Sequence, residues 1–305
     1  MPSQLKFGKR LKFRKRFDFS QLPKDWRVSR VAVDWGGNPL ILVQEGKPPY
    51  PSELKDQLTW LNTPPKAHHL VHWDGLSQRT VTFEKSTGIM TLHAQPFGEG
   101  WLLGESRGGR ASVYDGTGRH QRTLDLGDAS NDMQTTPNGK IWVSYFDEGV
   151  YGGGVGQGGV VCFDSSGDPA FRYFDFAEEN ELPFIDDCYA MNVVSEDEVW
   201  LCYYSAFPLV SIRGFRLLRV WKEFGCMDKA FSLLEGAVIF PKCYTRIHEG
   251  HSQLLRRTLA ESPQTEPLKA TDDEGGIISG QFKAAARGSR FYLWTETALY
   301  ELASS

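Results

Sequence analysis

Met133-Gln134-Thr135-Thr136-Pro137-Asn138-Gly139-Lys140-Ile141-Trp142-Val143 sets two short runs on either side of a Pro-Asn-Gly-Lys tetrapeptide. Pro presets φ for a turn, and Asn and Gly tolerate the left-handed backbone that a tight reversal needs. The stretch therefore reads as strand, turn, strand. Within it Gln134 precedes a Trp by eight positions, and the same spacing joins His93 to Trp101 and Asn192 to Trp200. An apolar residue stands before each polar one (Leu92, Met133, Met191), and a turn residue follows five positions after it (Gly98, Gly139, Asp197).

A second element follows each hairpin. Val71-His72-Trp73-Asp74-Gly75, Val113-Tyr114-Asp115-Gly116-Thr117-Gly118 and Val161-Cys162-Phe163-Asp164-Ser165-Ser166-Gly167 share an apolar residue, an aromatic, an Asp and then Gly. The Asp accepts hydrogen bonds from its own turn and Gly supplies positive φ. Another β-like run comes next each time: Arg79–Phe83, Thr123–Leu126 and Phe171–Phe176. Each unit thus holds four strands. The second strands fall at Leu40–Val43, Trp101–Leu103, Ile141–Val143, Val199–Leu201, Val238–Phe240 and Phe291–Trp294, which spreads 251 residues over five intervals. A period of about 50 residues per four-stranded unit marks a β-propeller, and six blades fit the length. The last unit, from Gly280 to Leu302, has room for only three strands. The arm near Phe13–Phe19, where charge and Phe alternate, supplies the fourth and closes the ring.

On these strands and turns the chain resembles the broad six-bladed propeller superfamily of NHL-repeat, gluconolactonase/regucalcin and strictosidine-synthase-like proteins. The Gly-His to Trp-Asp pattern of WD40 repeats is absent, apart from one Trp73-Asp74, and the double glycines Gly108-Gly109 and Gly158-Gly159 lack kelch spacing. The expected architecture is all-β: one domain over residues 1–305, with rim insertions at 44–67 and 147–159.

In a propeller the first strand of each blade lines the central channel. His93, Gln134 and Asn192 are expected there in one register, with Val33, Phe231 and Ala284 matching them elsewhere. A channel polar on one side and apolar on the other suits an off-centre ligand. The preferred alternative is that these polar groups bond one another or water. Acids gather where second strands end (Glu45, Glu105, Asp147, Glu148), and Asp132 shares a strand face with Gln134. The gluconolactonase resemblance implies a calcium or magnesium ion held by Glu45, Asp132, Gln134 and Asn192. The family's early Glu-Gly-Pro-x-Trp pattern is not found around Val31–Trp35, so solvated turn acids are preferred over that ion.

Composition limits the function classes. Of 305 residues, 24% are charged and 13% aromatic, as in a folded globular chain. The longest aliphatic runs, such as Leu40–Val43, fall far short of the roughly 18 residues of a membrane span. Residues 1–27 carry nine Lys/Arg against Asp18 and Asp25, which leaves −11 on the rest of a chain whose net charge is −4. A basic strand at a sheet edge explains this arm. Nucleic-acid binding ranks last, since no helix-turn-helix or zinc-finger pattern accompanies it. Five widely spaced Cys (162, 188, 202, 226, 243) read as buried free thiols in a reducing cytoplasm.

Three motifs fail on context. Gly154-Val155-Gly156-Gln157-Gly158-Gly159 matches G-x-G-x-x-G but runs into a strand, so it is no dinucleotide loop. A plain hairpin loop or a mobile flap remains for 147–159. His68-His69-x-x-His72 and His248-Glu249-x-His251 lack a transition-metal ligand set, and no G-x-S-x-G elbow is present. Ser52–Leu61 has the apolar spacing of one short amphipathic helix. The expected function is a non-catalytic monomer that holds a protein or small-molecule ligand at the channel mouth and rim, with no cofactor. The alternative is a divalent-metal-assisted hydrolase or lactonase.

Overall fold

The computed structural model describes residues 9–46, 67–73, 77–83, 92–225, 227, 229–242, 253–278 and 282–303. The expected helix at Ser52–Leu61, most of the 44–67 insertion, Cys226, Cys243 and His248–His251 lie outside the described residues. No helix among the described residues is long and apolar enough to cross a membrane.

The chain is all-β, with the repeated four-stranded antiparallel sheets of a β-propeller. It opens with β1 (Lys9–Asp18). Four sheets follow in sequence, each a simple meander. The first holds β2 (Trp26–Val33), β3 (Pro39–Glu45), β4 (His68–Trp73) and β5 (Gln78–Phe83). The second holds β6 (Leu92–Phe97), β7 (Gly100–Glu105), β8 (Arg110–Tyr114) and β9 (His120–Asp125). The third holds β10 (Ser130–Thr135), β11 (Ile141–Tyr145), β12 (Val160–Phe163) and β13 (Pro169–Arg172). The fourth holds β14 (Asp187–Val193), β15 (Glu198–Tyr204), β16 (Leu209–Arg213) and β17 (Arg216–Trp221).

The remaining strands are β18 (Ser232–Leu234), β19 (Ala237–Pro241), β20 (Gln253–Thr258), β21 (Thr265–Thr271), β22 (Lys283–Arg287), β23 (Arg290–Trp294) and β24 (Ala298–Leu302). They form one eight-stranded sheet with β1 in its middle, between β21 and β24. Lys9–Lys12 run parallel to Leu268–Thr271, and Phe13–Asp18 run antiparallel to β24. The alternation of charge and Phe decides how β1 sits. Phe13 and Phe17 are buried, and Phe13 lies 6.1 Å from Phe291. Cations before and between them turn outward and pair with acids of the neighbouring strands, Lys9 with Glu266 at 3.0 Å and Arg16 with Glu301 at 3.0 Å.

All six expected second strands are the second strands of their groups. Each is an apolar run because it is covered on both faces. In β3, Leu40 and Leu42 pack toward Trp101 and Leu103 of the second sheet, while Ile41 and Val43 pack toward Tyr292 and Trp294. Four further apolar clusters fill the spaces between the second and third sheets, the third and fourth, the fourth and β18–β20, and β19–β21 and β22–β23. Burying each such Leu or Ile contributes roughly 1.5–3 kcal/mol. The expected Asp turns also form: Asp115 Oδ1 accepts from the Thr117 and Arg119 amides at 2.9 and 3.1 Å, and Asp164 Oδ1 from Ser166 and Asp168 at 2.8 and 3.0 Å. Gly118 and Gly167 close these turns at φ of 90° and 94°.

Two local expectations are corrected. Phe171–Phe176 is not one strand: β13 stops at Arg172 and helix α2 (Tyr173–Glu179) follows helix α1 (Asp147–Tyr151) in chain order. Tyr173, Phe176 and Ala177 fall at helical spacing, and all three bury against Tyr203, Leu182 and Ile185. Segment 147–159 is not a plain loop. It is α1 plus a 3-10 turn at Val155–Gly158, and a Cβ on Gly149 or Gly156 would come within 2.7 Å of a backbone carbonyl oxygen.

Candidate binding site at the central cavity

The innermost strands pack in succession, β2 on β6, β6 on β10, β10 on β14, β14 on β22 and β22 on β2. They surround a cavity of about 1340 Å³ lined by Trp26–Val33, Gln95, Ser130–Asp132, Gln134, Met191 and Lys283–Ala286. Its floor lies where these strands end and its mouth where they begin.

Polar side chains at the floor and buried beneath it bond mostly to backbone. Asn192 donates to the Phe231 and Gly288 carbonyls at 2.7 and 3.2 Å and accepts the Gly288 amide at 2.7 Å. Gln134 donates to Met191 O at 3.1 Å and accepts from Val193 N–H at 2.9 Å. Thr135 Oγ1 donates to Pro96 O at 2.6 Å. Arg287, buried, donates to Gln95 Oε1 at 3.3 Å and to Thr135 O at 2.5 Å, and Gln95 passes a hydrogen bond to Val33 O at 3.3 Å. Burial pushes the Arg287 guanidinium down to about 10, against the fields of Asp34, Asp132 and Glu196. It stays charged at neutral pH.

The mouth is arranged differently. Arg30 Nη2 donates to Asp132 Oδ1 at 2.8 Å and to Asn131 O at 3.3 Å, and Gln134 Nε2 donates to Asp132 Oδ2 at 2.9 Å. Arg30 and Asp132 both keep about a fifth of their side chains open, at 22% and 20%. Lys229 Nζ donates to Asn131 Oδ1 at 3.1 Å and sits 4.7 Å from the Phe146 ring centre. Behind this pair His93 is buried: Nε2 lies 3.3 Å from Ser130 Oγ, while Nδ1 has no hydrogen-bond partner and faces Asp132 Oδ1 at 3.8 Å. Burial, then the fields of Arg30 and Lys229, hold the imidazole well below its ordinary pKa, so it is neutral. The cavity is lined by the cations Arg27, Arg30, Lys229, Lys242 and Lys283 and the acids Asp18, Asp132 and Glu296. Asp18 is already bonded by Lys15 at 2.6 Å, and Asp132 by Arg30. The lining is therefore cationic in balance.

Of the seven residues expected at the channel, Asp132 and Gln134 line the cavity and His93 stands behind Asp132. The common register is corrected. Gln134 lies opposite Trp142 and Asn192 opposite Trp200, but Trp101 lies opposite Pro96 and His93 opposite Gly104. The β6–β7 hairpin reverses over only two residues after Phe97, so eight positions in sequence land three residues away in register. The odd shift puts Trp101, not His93, on the other face: Trp101 packs toward the first sheet while Trp142 and Trp200 pack toward the sheet that follows, and His93 faces Ser130 of the next sheet as Gln134 faces Met191. Asn192 is buried outside the cavity lining. Glu45 bonds His69 Nε2 at 3.1 Å on the outer side of Trp26, whose ring stacks on His69 at 4.0 Å. Glu105 lies 3.7 Å from Arg110, and Asp147 starts α1 on the surface. None of these three lines the cavity.

The calcium or magnesium set does not fit these residues. The Gln134 and Asn192 oxygens already accept backbone N–H, Asp132 is held by a guanidinium, and Glu45 is committed to His69. Among the described residues no three His, Cys, Asp or Glu are grouped to hold a metal.

Residues 160–302 match the YxzG family. That span runs from β12 to β24, a little under half of the chain. No curated protein matches the sequence. Among solved structures, the chain is similar to BamB from Moraxella catarrhalis at 12% identity and a TM-score of 0.48, over 90% of this chain and 82% of that one.

Sequence reasoning missed Arg30, Lys229, Arg287 and Asn131. Two had a signal. Arg30 interrupts the Val28–Val33 run and Arg287 ends the Ala284-Ala285-Ala286 run, so each puts a charge beside residues that are otherwise apolar or small. Lys229 lies outside any strand, and nothing local marks it.

Proposed function

We propose that this chain is a single-domain, six-bladed propeller closed by β1, and that it is a non-catalytic binding protein whose cavity mouth holds a small anion, a carboxylate or a phosphate. The six apolar clusters between neighbouring four-strand groups, with β1 pairing onto β24, support the blade count and the closure. The observation that carries the function is the cation balance of a large cavity in which Arg30 stays partly open beside Lys229. A guanidinium presents several donors in a fork, and Nη2 alone is spent on Asp132 and Asn131, so its geometry suits an incoming oxyanion. Two buried free thiols, Cys162 and Cys188, support a reducing cytoplasm.

A thermal-shift panel of carboxylates, phosphate esters, amines and sugars, followed by calorimetry, tests the ligand class. Anions are expected to raise the melting temperature and to lose that effect in Arg30→Gln. A response confined to amines or sugars contradicts the reading. Deleting residues 1–20 tests the closure: the whole domain is expected to unfold at lower denaturant, because the edges of β21 and β24 lose their cover. An unchanged midpoint would make the arm a free tail.

A further inference from the structure

Seven large apolar side chains are exposed among the described residues, and four of them gather in one region: Tyr151 at 70%, Phe174 and Phe184 at 46% each, and Tyr204 at 45%. They cover the outside of the cluster between the third and fourth sheets, where Val150 of α1 and Phe176 of α2 meet Ile185 and Tyr203. Phe174 stacks on Phe184 at 4.6 Å. Tyr189 and Tyr204 pack against Phe207 at 5.8 and 5.5 Å. The loop after Phe184 links the two groups, since the Tyr151 hydroxyl donates to Asp186 and the Asp186 amide donates to Tyr204 O at 3.0 Å.

Charge says what fits this surface. Segments 147–159, 173–187 and 203–207 hold eight Asp or Glu and no Lys, Arg or His. The cations that reach it come from elsewhere: Arg107 meets Glu148 at 2.9 Å, and Lys229 acts on Asp187. One Asp187 carboxylate oxygen is enclosed without any donor. Exposed aromatic faces attract cations as well as apolar groups, and a one-signed rim selects the opposite sign at a distance.

We infer that this acidic, aromatic rim docks an extended segment of another protein that carries Arg or Lys beside apolar side chains. It shares the binding-protein reading given above but uses residues outside the cavity. A fluorescein-labelled peptide alternating Arg with Leu and Gly is the probe, and the same peptide with Glu for Arg is the control. Anisotropy is expected to show saturable binding of the Arg peptide, weaker by about tenfold for the Glu peptide and weakened as salt rises from about 0.05 to 0.3 M. Tyr151→Ser and Tyr204→Ser, both at exposed positions, are each expected to weaken it about fivefold, and Asp186→Asn to a similar extent. Equal binding of both peptides, or no effect of any of the three variants, overturns the inference. So does sedimentation with phosphatidylcholine vesicles, which would make the aromatics a lipid contact, or a dimer dissolved by Tyr151→Ser, which would make the occupant a second copy. Calorimetry of the cavity anion on the same samples separates the two proposals, because a lost peptide signal with anion binding intact overturns the rim alone.

Discussion

Asn192 and Arg30 belong to the same ring of innermost strands, yet they use their polar atoms in opposite ways. Asn192 spends both ends of its amide on the backbone of Phe231 and Gly288, and it is fully buried. Arg30 spends one nitrogen on Asp132 and Asn131 and keeps a fifth of its side chain open to the cavity. The floor as a whole follows Asn192 and the mouth follows Arg30. A buried polar group with every bond made fixes how neighbouring sheets meet. A charged group left partly open at a cavity has capacity for something outside the chain.

Stability should therefore respond at the floor more than at the mouth. Asn192→Ala strands the Gly288 amide and the Phe231 carbonyl, and at roughly 1–3 kcal/mol for each unsatisfied buried group it should cost about 3 kcal/mol. A urea midpoint equal to wild type would break the comparison at its strongest point. Arg287→Met removes donors from Thr135 O and Gln95 but also removes a buried charge, so the loss should be smaller, about 2 kcal/mol in the same assay.

The buried imidazole adds a pH signature. His93 is held neutral in the fold, while in the unfolded chain it takes a proton near its ordinary value of 6.5. Below that pH the unfolded state binds the extra proton, so stability falls by up to about 1.4 kcal/mol per pH unit and is fully present only above it. Denaturation at pH 6.5 and 5.5, above the range of the carboxylates, should show this slope in wild type and lose it in His93→Gln. At the mouth, Arg30→Gln should cost only about 1 kcal/mol, because Asp132 keeps the Gln134 amide and faces an open cavity. A loss as large as that of Asn192→Ala would move Arg30 into the structural class.

Much of the architecture was readable because it repeats. Runs such as Leu40–Val43 and Val199–Leu201 are apolar on both faces, which only an element between two neighbours requires, and Asp115 and Asp164 announce their own turns. The strand at 9–18 was readable from its alternating Phe and cations. The site was less legible, because a count along the chain carries register only if hairpins are of equal length. The short β6–β7 turn broke the pairing of His93 with Trp101 and turned Trp101 to the other face. The helix after β13 was hidden because Tyr173, Phe174 and Phe176 suit a strand as well as a helix, and packing against Tyr203 decides between them. Lys229 reaches the mouth only through the path of the chain between β17 and β18.

The most direct test is a calorimetric titration of the best-stabilising anion into wild type, Arg30→Gln and Asn192→Ala, at a temperature where all three are folded. The account predicts an affinity at least about tenfold weaker in Arg30→Gln, as expected for losing a charge-assisted pair, and unchanged in Asn192→Ala. Wild-type affinity in Arg30→Gln, or an equal loss in Asn192→Ala, would contradict the division between a structural floor and a binding mouth.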